Sequence, residues 1–526
     1  MSELLQIDTA YQKVYYNPIT MKKNEMVSNS LIIVLVCLAV LFAGKPAYSV
    51  SKKTTDVISI SDSYFYRLIN RALTISPSKY ITDTVKPISI REAIVLVNNV
   101  TKKEKYIQES DYQGDDFLFN PLRKLSSCLV LSDKEDILIM SNRGERFQGS
   151  YYFTLQGVGN VHLKDFALLS YDLRIKNDHD STELELYQYK VKKGFKHLSL
   201  SFEKGSFLLG PGYFGKILMS ENVEPEHIAL VKTEIPYDWG ALGAFRWYLW
   251  HVWYDDNDRV NKDPSLFGMR FSLKPFDVFE CALNRIIYYG GSGNPKYSSI
   301  KDYWKLFTAE EENTTSEWNT DQLASADMTF NLPFIKKLKP FAGGKFYTEH
   351  AWNDIVAPYQ PKDDLGRGGD RFDLLGESHI YGIFLTTGRL DVRFEYTKTT
   401  RYVYDNGNFS PDGYSDNGYI IGHYIGKDAM ARFIELYYEI DDAFHLYLSG
   451  ARIKRGVHLP SEMEQIQKEF GGGARYFHGN SMEFGIDLKY IDRNKRDDAL
   501  SPAKISFNNN IEESYTYVML TMSYWL

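Results

Sequence analysis

The chain has 526 residues, with 61 Lys and Arg against 68 Asp and Glu and a net charge of −7. That balance excludes the broad basic face of a nucleic-acid binder, so no nucleic-acid partner is expected. Aromatic residues make up 15 %, including 39 Tyr, which suits a surface apolar on one side and wet at its edge.

The first element is a leader over residues 1–49. Lys22 and Lys23 precede an apolar run from Leu31 to Ala43, and the small residues Ala47 and Ser49 come after it. This is the layout of a secretory signal, most simply read from Met21, and it predicts export with cleavage. The run is shorter than the ~20 residues a spanning helix needs. Cys37 lies in this run; Cys128 and Cys281, too few and too far apart for a disulfide framework, are expected as free thiols.

Residues 50–134 read as helical. Phe65, Leu68, Ile69, Ala72 and Leu73 recur at helix spacing. Ser89 and Glu92 form a capping-box pattern after Pro87, with Ala93, Leu96, Val97 and Val100 then on one face. A third short helix is expected over Phe117, Leu118, Leu122 and Leu125. Stripes this small need something to pack on, so the segment is expected to plug the periplasmic mouth of a barrel built by the rest of the chain.

From residue 135 to 526 the period becomes two. Leu198, Leu200 and Phe202 alternate with Ser199, Ser201 and Glu203. The same holds for Leu390, Val392, Phe394 and Tyr396, for Ile434, Leu436, Tyr438 and Ile440, and for Phe484, Ile486 and Leu488. Short connections at Lys192–Phe195, Lys274–Phe276, Thr387–Gly388, Asp441–Asp442 and Gly479–Asn480 alternate with long ones. The long ones are Asp255–Pro264, Gly290–Thr320, Ala351–Glu377, Tyr404–Lys427 and Asn494–Glu513. A soluble Greek-key sandwich has no reason to keep this parity. An up-and-down antiparallel transmembrane β-barrel of about 18 strands does, with tight turns in the periplasm and long loops outside. Its first strand is expected near Asp136–Asn142. The last strand, Ser514 to Leu526, should put Thr516, Val518, Leu520, Met522, Tyr524 and Leu526 towards lipid. Tyr515, Tyr517, Met519, Thr521, Ser523 and Trp525 should face the lumen. A polar lumen accounts for the mean hydropathy of −0.35 in a membrane protein.

Several stretches resemble the Wzi-type capsule assembly family of the outer membrane. They are KPISIREAIVLV (Lys86–Val97), GPGYFGKILMSEN (Gly210–Asn222) and the hairpin Phe267–Gly293 with Arg270, Pro275 and Arg285. NTDQLASADMTF (Asn319–Phe330), with Gln322 and Asp327, and GYIIGHYIGKDA (Gly418–Ala429), with Gly422 and His423, complete the set. Order and spacing carry the match. Leu209 stands where the family often has Trp before Gly210, Pro211 and Gly212, and Leu526 ends the chain where barrels commonly end in Phe. The resemblance implies a helix-closed barrel of the bacterial outer membrane that binds capsular or other surface polysaccharide. It implies a lectin-like attachment factor and no enzyme, with outer-membrane lipid and the barrel-insertion machinery as partners, as a monomer. The family-motif residues, Asn222 among them, are expected to be structural.

No HExxH, GxSxG, CxxC or phosphate-binding loop is present, so no catalytic set, cofactor or metal site is expected. Gln156–His162 lacks the third glycine of a dinucleotide fingerprint. Asp255–Asp263 lacks the Gly and Glu of a calcium loop. His423 is expected to order a loop. Sugar rings need flat apolar faces, so Tyr303, Trp304 and Trp318 in one long loop and Tyr402 and Tyr404 in another are candidate glycan contacts. The competing reading is an open diffusion channel, a porin; the helical segment and bulky loops argue against it.

Overall fold

The structure is a computed structural model describing residues 45–46, 63–89, 92, 119–133, 138–139, 146–147, 150–163, 167–177, 181–256 and 259–294. It continues through 299, 301–304, 320–356, 373–375, 377–404, 409, 412–459, 464–479, 481–494 and 513–525. They fall into two units. Of residues 1–43 and 295–318, which make the smaller unit, only 299 and 301–304 are described. All else belongs to the larger unit.

The larger unit is a closed barrel of 18 antiparallel strands. In chain order they are β1 Phe119–Ser132, β2 Tyr151–Leu163, β3 Ala167–Asn177, β4 Thr182–Gly194, β5 Leu198–Gly205 and β6 Glu226–Thr233. Next come β7 Ala244–Trp253, β8 Pro264–Phe276, β9 Phe279–Gly290, β10 Thr320–Asn331, β11 Gly343–Trp352 and β12 Ser378–Thr386. The last six are β13 Leu390–Thr399, β14 Ala429–Glu439, β15 Phe444–Arg455, β16 Gln465–His478, β17 Met482–Arg493 and β18 Glu513–Trp525. Each pairs with its chain neighbour, and β18 closes on β1 from Tyr517↔Ser132 to Trp525↔Lys124. Closure leaves no unpaired edge, which a lipid environment requires.

The loop parity expected from the sequence is present. Connections after even strands are mostly tight, at 195–197, 277–278, 387–389, 440–443 and 479–481, with 234–243 and 332–342 longer. Those after odd strands include 206–225, 353–377, 400–428 and 494–512, with 178–181 short. Two turns sit slightly later than expected. The first falls at 195–197. In the second, Lys274 and Phe276 belong to β8 and the turn is Asp277–Val278. Pro275 cannot donate to the ladder, and the register slips between Leu273 and Phe276.

The barrel starts earlier than the expected boundary at 135. Phe117 and Leu118 lie outside the described residues, but Leu122 and Leu125 belong to β1 and not to a helix. Leu118, Leu122 and Leu125 are spaced like a helix; the tertiary pairing with β18 and β2 overrides that spacing. Pro121 lies within the register shift between Asn120 and Lys124, where its missing N–H costs no regular ladder bond. Of Asp136–Asn142, where the first strand was expected, only Leu138–Ile139 is described, and it pairs with Arg146–Phe147 in the β1–β2 connection and with no barrel strand among the described residues.

The strand faces agree with the period-two reading. Leu520, Met522 and Tyr524 face outward and exposed, while Tyr515, Tyr517 and Met519 are buried inside with Val130 and Tyr152. Cys128 and Cys281 form no disulfide. The helix α1, Ser63–Ile75, buries Tyr66, Ile69 and Leu73 against Ile81 and Ile88. Pro77 comes just after it, a residue that disfavours helix immediately before itself. The capping box is formed: Ser89 N–H donates to Glu92 Oε2 at 2.8 Å, and Glu92 N–H to Ser89 Oγ at 3.2 Å. The helix expected over Ala93–Val100 lies outside the described residues. Of the leader, only Lys45–Pro46 is described, paired with Tyr237–Asp238.

Candidate functional site

The lumen near the tight-turn rim is filled by residues 63–89 and Glu92. Arg67 and Arg71 lie one helical turn apart on α1 and reach carboxylates on the inner faces of β13 and β14. Arg71 holds both oxygens of Asp391, at 3.1 and 2.9 Å, and Glu439 at 2.6 Å. Arg67 holds Glu435 at 2.8 Å. Burial opposes charge on Arg67, but Glu435, Tyr213 and Asp391 outweigh it and raise its pKa. Lys345 reaches Asp83 at 2.6 Å. Burial opposes the Asp83 charge, but Lys345 and its hydrogen bond bring the carboxyl below its usual range. Lys232 bonds Pro87 O at 2.9 Å and Glu92 at 3.0 Å, and Lys274 bonds Ile81 O at 2.9 Å. Buried cations of the wall thus meet the plug's carbonyls and carboxylates, and desolvated charge stays paired.

Two connections from the long-loop rim pack into the same lumen, and they carry two of the family-like motifs. Leu208–Leu209 pairs with Val85–Lys86 of the plug, and Leu209 is fully buried there. Gly210 has φ +105°, and a Cβ on it would lie 2.5 Å from Glu349 Oε2. A Cβ on Gly212 would lie 2.1 Å from Gly215 O. Pro211 sits between them, its rigid φ helping to fix the turn. Lys216 clamps that turn by donating to Gly210 O at 2.9 Å and Gly212 O at 2.5 Å. Tyr213 and Phe214 N–H both donate to Glu395, at 2.7 and 3.0 Å.

The second motif meets the first directly. Ser220 Oγ donates to Gly422 O at 2.6 Å and Asn222 Nδ2 to Ile420 O at 2.9 Å. Gly422 lies so close that a Cβ would stand 2.1 Å from Ile217 O. His423 is fully buried, edge-on to Phe214, and accepts from Ile425 N–H at 3.3 Å through Nδ1. Burial, with Lys216 and Arg455 nearby, drops its pKa to about 3. The buried ring is held between Phe214 and the backbone of its own connection.

The hairpin motif supplies the third part. Arg270 is fully buried and bidentate on Asp327, at 2.5 and 3.2 Å, and donates to Asn284 at 2.7 Å and to Thr84 of the plug at 2.7 Å. Arg285 and Gln322 form a separate pair, Nε to Oε1 at 2.9 Å, on the outward face of β9 and β10.

The aromatic candidates separate. Tyr404 is 0 % exposed, donates to Ile217 O at 2.7 Å and accepts from His423 N–H at 3.0 Å. Its ring belongs to the core and is not available to a sugar, which corrects its place among the glycan candidates. Tyr402 is 52 % exposed, with the Arg401 guanidinium 4.6 Å from its ring centre. In the smaller unit Trp304 is 51 % exposed beside Tyr303. Their helical turn starts with a reciprocal cap: Ser299 N–H donates to Asp302 Oδ2 at 2.9 Å, and Asp302 N–H to Ser299 Oγ at 3.2 Å. Trp318 lies outside the described residues. Asp256, in the stretch compared with a calcium loop, accepts from Asn417 N–H at 2.8 Å.

Sequence reasoning missed the small recess between plug and Gly-Pro-Gly turn, lined by Lys86, Tyr213, Lys216, Ser220 and Glu221. Burial and the neighbouring Lys216 push the Lys86 pKa down to about 8. Glu395, Asp391 and Lys216 were also missed as organising residues. Their polarity is visible, but their partners lie far away in sequence.

Residues 134–506 match the family described as capsule assembly protein Wzi. A protein of Klebsiella pneumoniae described as an uncharacterized 55.8 kDa protein in the cps region is 27 % identical over 177 residues. That alignment covers 32 % of this chain, and the chain spans about a third, 33 %, of that curated relative. A solved structure from Escherichia coli, described as Wzi, an outer membrane protein involved in group 1 capsule assembly and a carbohydrate-binding β-barrel, matches with a TM-score of 0.61. It is 14 % identical, with 89 % of this chain and 99 % of that one covered. The likeness establishes the barrel fold.

Proposed function

Since the chain belongs to the Wzi capsule assembly family, we propose that it is an outer-membrane, lectin-like protein that binds surface polysaccharide and supports capsule assembly and attachment. The observation that carries the reading is the lumen. The described residues pack it with α1, the Gly-Pro-Gly segment and the 400–428 connection, joined through Arg270, Asp327, Ser220 and Gly422. A packed lumen suits a barrel that presents loops for binding better than one that passes solutes.

In this reading the signal segment directs export and is cleaved, and the tight turns face the periplasm. The odd-strand connections face outward and offer Tyr402, Trp304, Tyr303 and Trp318 as flat surfaces for sugar rings. The protein acts by binding, without catalysis, and inserts as a monomer through the barrel-insertion machinery. The test is capsule retention: cells deleted for the chain should shed capsule and regain it on complementation. Unchanged retention in the deleted cells would sink the proposal.

A further inference from the structure

Outside the lumen, the lipid-facing wall carries a row of cations. Arg432 on β14 stands directly opposite Arg452 on β15, and Arg452 stands directly opposite Lys468 on β16. All three are exposed and point outward, on the face that carries Ile434, Leu448 and Phe470. Lys398 on β13 and Lys454 on β15 flank the row on the same face. Like charges placed opposite one another across strands repel, so the row costs stability unless something anionic meets it.

Among the described residues the chain's own anions meet only part of it. Lys468 has a loose contact with Asp492 at 3.5 Å, and Lys454 holds Glu464 at 2.5 Å. Among the described residues Arg432, Arg452 and Lys398 make no ion pair.

The height of the row is informative. On β15 the outward residues run Phe444, Leu446, Leu448, Gly450 and then Arg452. Eight residues at about 3.4 Å each span roughly 27 Å along the strand, or about 20 Å after a barrel tilt of about 40°. That is close to the ~25 Å apolar band of such barrels. Tyr396, outward on β13, stands directly opposite Arg432, and Tyr490, outward on β17, stands opposite Phe470, one outward position below Lys468, close to the row as interfacial aromatics are. The cations therefore lie where hydrocarbon ends, on the rim that carries the long connections.

The geometry points to a binding surface for the phosphate groups of a phosphorylated glycolipid in the outer leaflet. Guanidinium groups suit phosphate through paired, charge-assisted hydrogen bonds, and the apolar wall below the row accepts acyl chains. The inference rests on the proposed orientation, with the odd-strand connections outside. It makes the barrel an organiser of the lipid around the site where polysaccharide is held.

The experiment uses the full chain in detergent, titrated with a short-chain phosphorylated lipopolysaccharide and monitored by native mass spectrometry. The variant is Arg432→Gln/Arg452→Gln/Lys468→Gln, with Lys337→Gln at the opposite rim as control. The wild type and the control should retain the glycolipid, and the triple variant should bind it at least tenfold more weakly. Dephosphorylated glycolipid should bind all three proteins as weakly as the triple variant binds the phosphorylated form, and millimolar inorganic phosphate should not compete. Heat-modifiable gel migration reports folding, and the substitutions lie outside the core, so the triple variant should fold. Equal glycolipid binding by wild type and triple variant, or equal binding of the dephosphorylated form by wild type, overturns the inference. An epitope inserted in the 456–464 connection tests the orientation separately by its exposure on intact cells. Polysaccharide binding is measured in a different assay, so the two readings fail independently.

Discussion

Arg71 and Asp391 lie 320 residues apart in sequence and form a two-pronged, buried ion pair at 3.1 and 2.9 Å. It fastens the first helix to the inner wall of β13. Glu439 and the neighbouring Arg67–Glu435 pair, with Arg67 also 3.9 Å from Asp391, extend it into a network.

The network predicts what releases the plug. Asp391→Ala leaves two guanidinium groups buried beside a lost carboxylate, and breaking such a pair costs about 3–5 kcal/mol. In planar bilayers the wild type should show no steady conductance, and Asp391→Ala should show frequent openings. Steady large channels from the wild type would favour the porin reading.

Gly422 predicts a steric effect. Ala there would press a methyl group against Ile217 O, 2.1 Å from the ideal Cβ position. Overpacking of this kind costs about 1–3 kcal/mol. Heat-modifiable migration of Gly422→Ala should shift to lower temperature, while Ala at Gly388, whose Cβ meets nothing within 4 Å, should shift less despite its φ of +98°. A larger shift at Gly388 would contradict the contact.

The final strand predicts a face-dependent response. Leu520 is 40 % exposed and points outward, whereas Thr521 points inward. Arg at a mid-bilayer outward position costs about 2–4 kcal/mol. Leu520→Arg should lower outer-membrane levels and Thr521→Arg should be tolerated. Equal levels of the two variants would show the faces reversed.

His423 predicts a pH dependence. An unfolded imidazole titrates near pH 6.5, and burial brings it to about 3 in the fold. Between those values the unfolded chain binds a proton that the folded chain does not. Its contribution to stability is therefore full above pH 6.5 and is lost as pH falls towards 3. Denaturant midpoints of the wild type should fall between pH 6.5 and 4, and His423→Gln should flatten that slope. Identical slopes would remove His423 from the account.

Much of the barrel was legible because its signals are local. Ile434, Leu436 and Tyr438 alternate with Phe433, Glu435 and Tyr437, and that alternation alone assigns the two faces. Loop lengths gave the strand parity. β1 was missed because Leu118, Leu122 and Leu125 are spaced like a helix and Pro121 argues against a strand. Its pairing comes from β18, almost four hundred residues away. The meeting of Ser220 with Gly422 leaves no periodic trace either; only their place in two family-like motifs marked them. Tyr402 and Tyr404 show the limit most plainly. They are two positions apart and chemically identical, yet one is exposed and the other wholly buried.

The most direct measurement is binding of the purified full chain to the capsular polysaccharide of its own cells, read by isothermal calorimetry. Wild type should bind saturably, and Tyr402→Ala and Trp304→Ala, both exposed and outside the core, should fold normally and bind several-fold more weakly. No saturable binding by a correctly folded wild type would contradict the account.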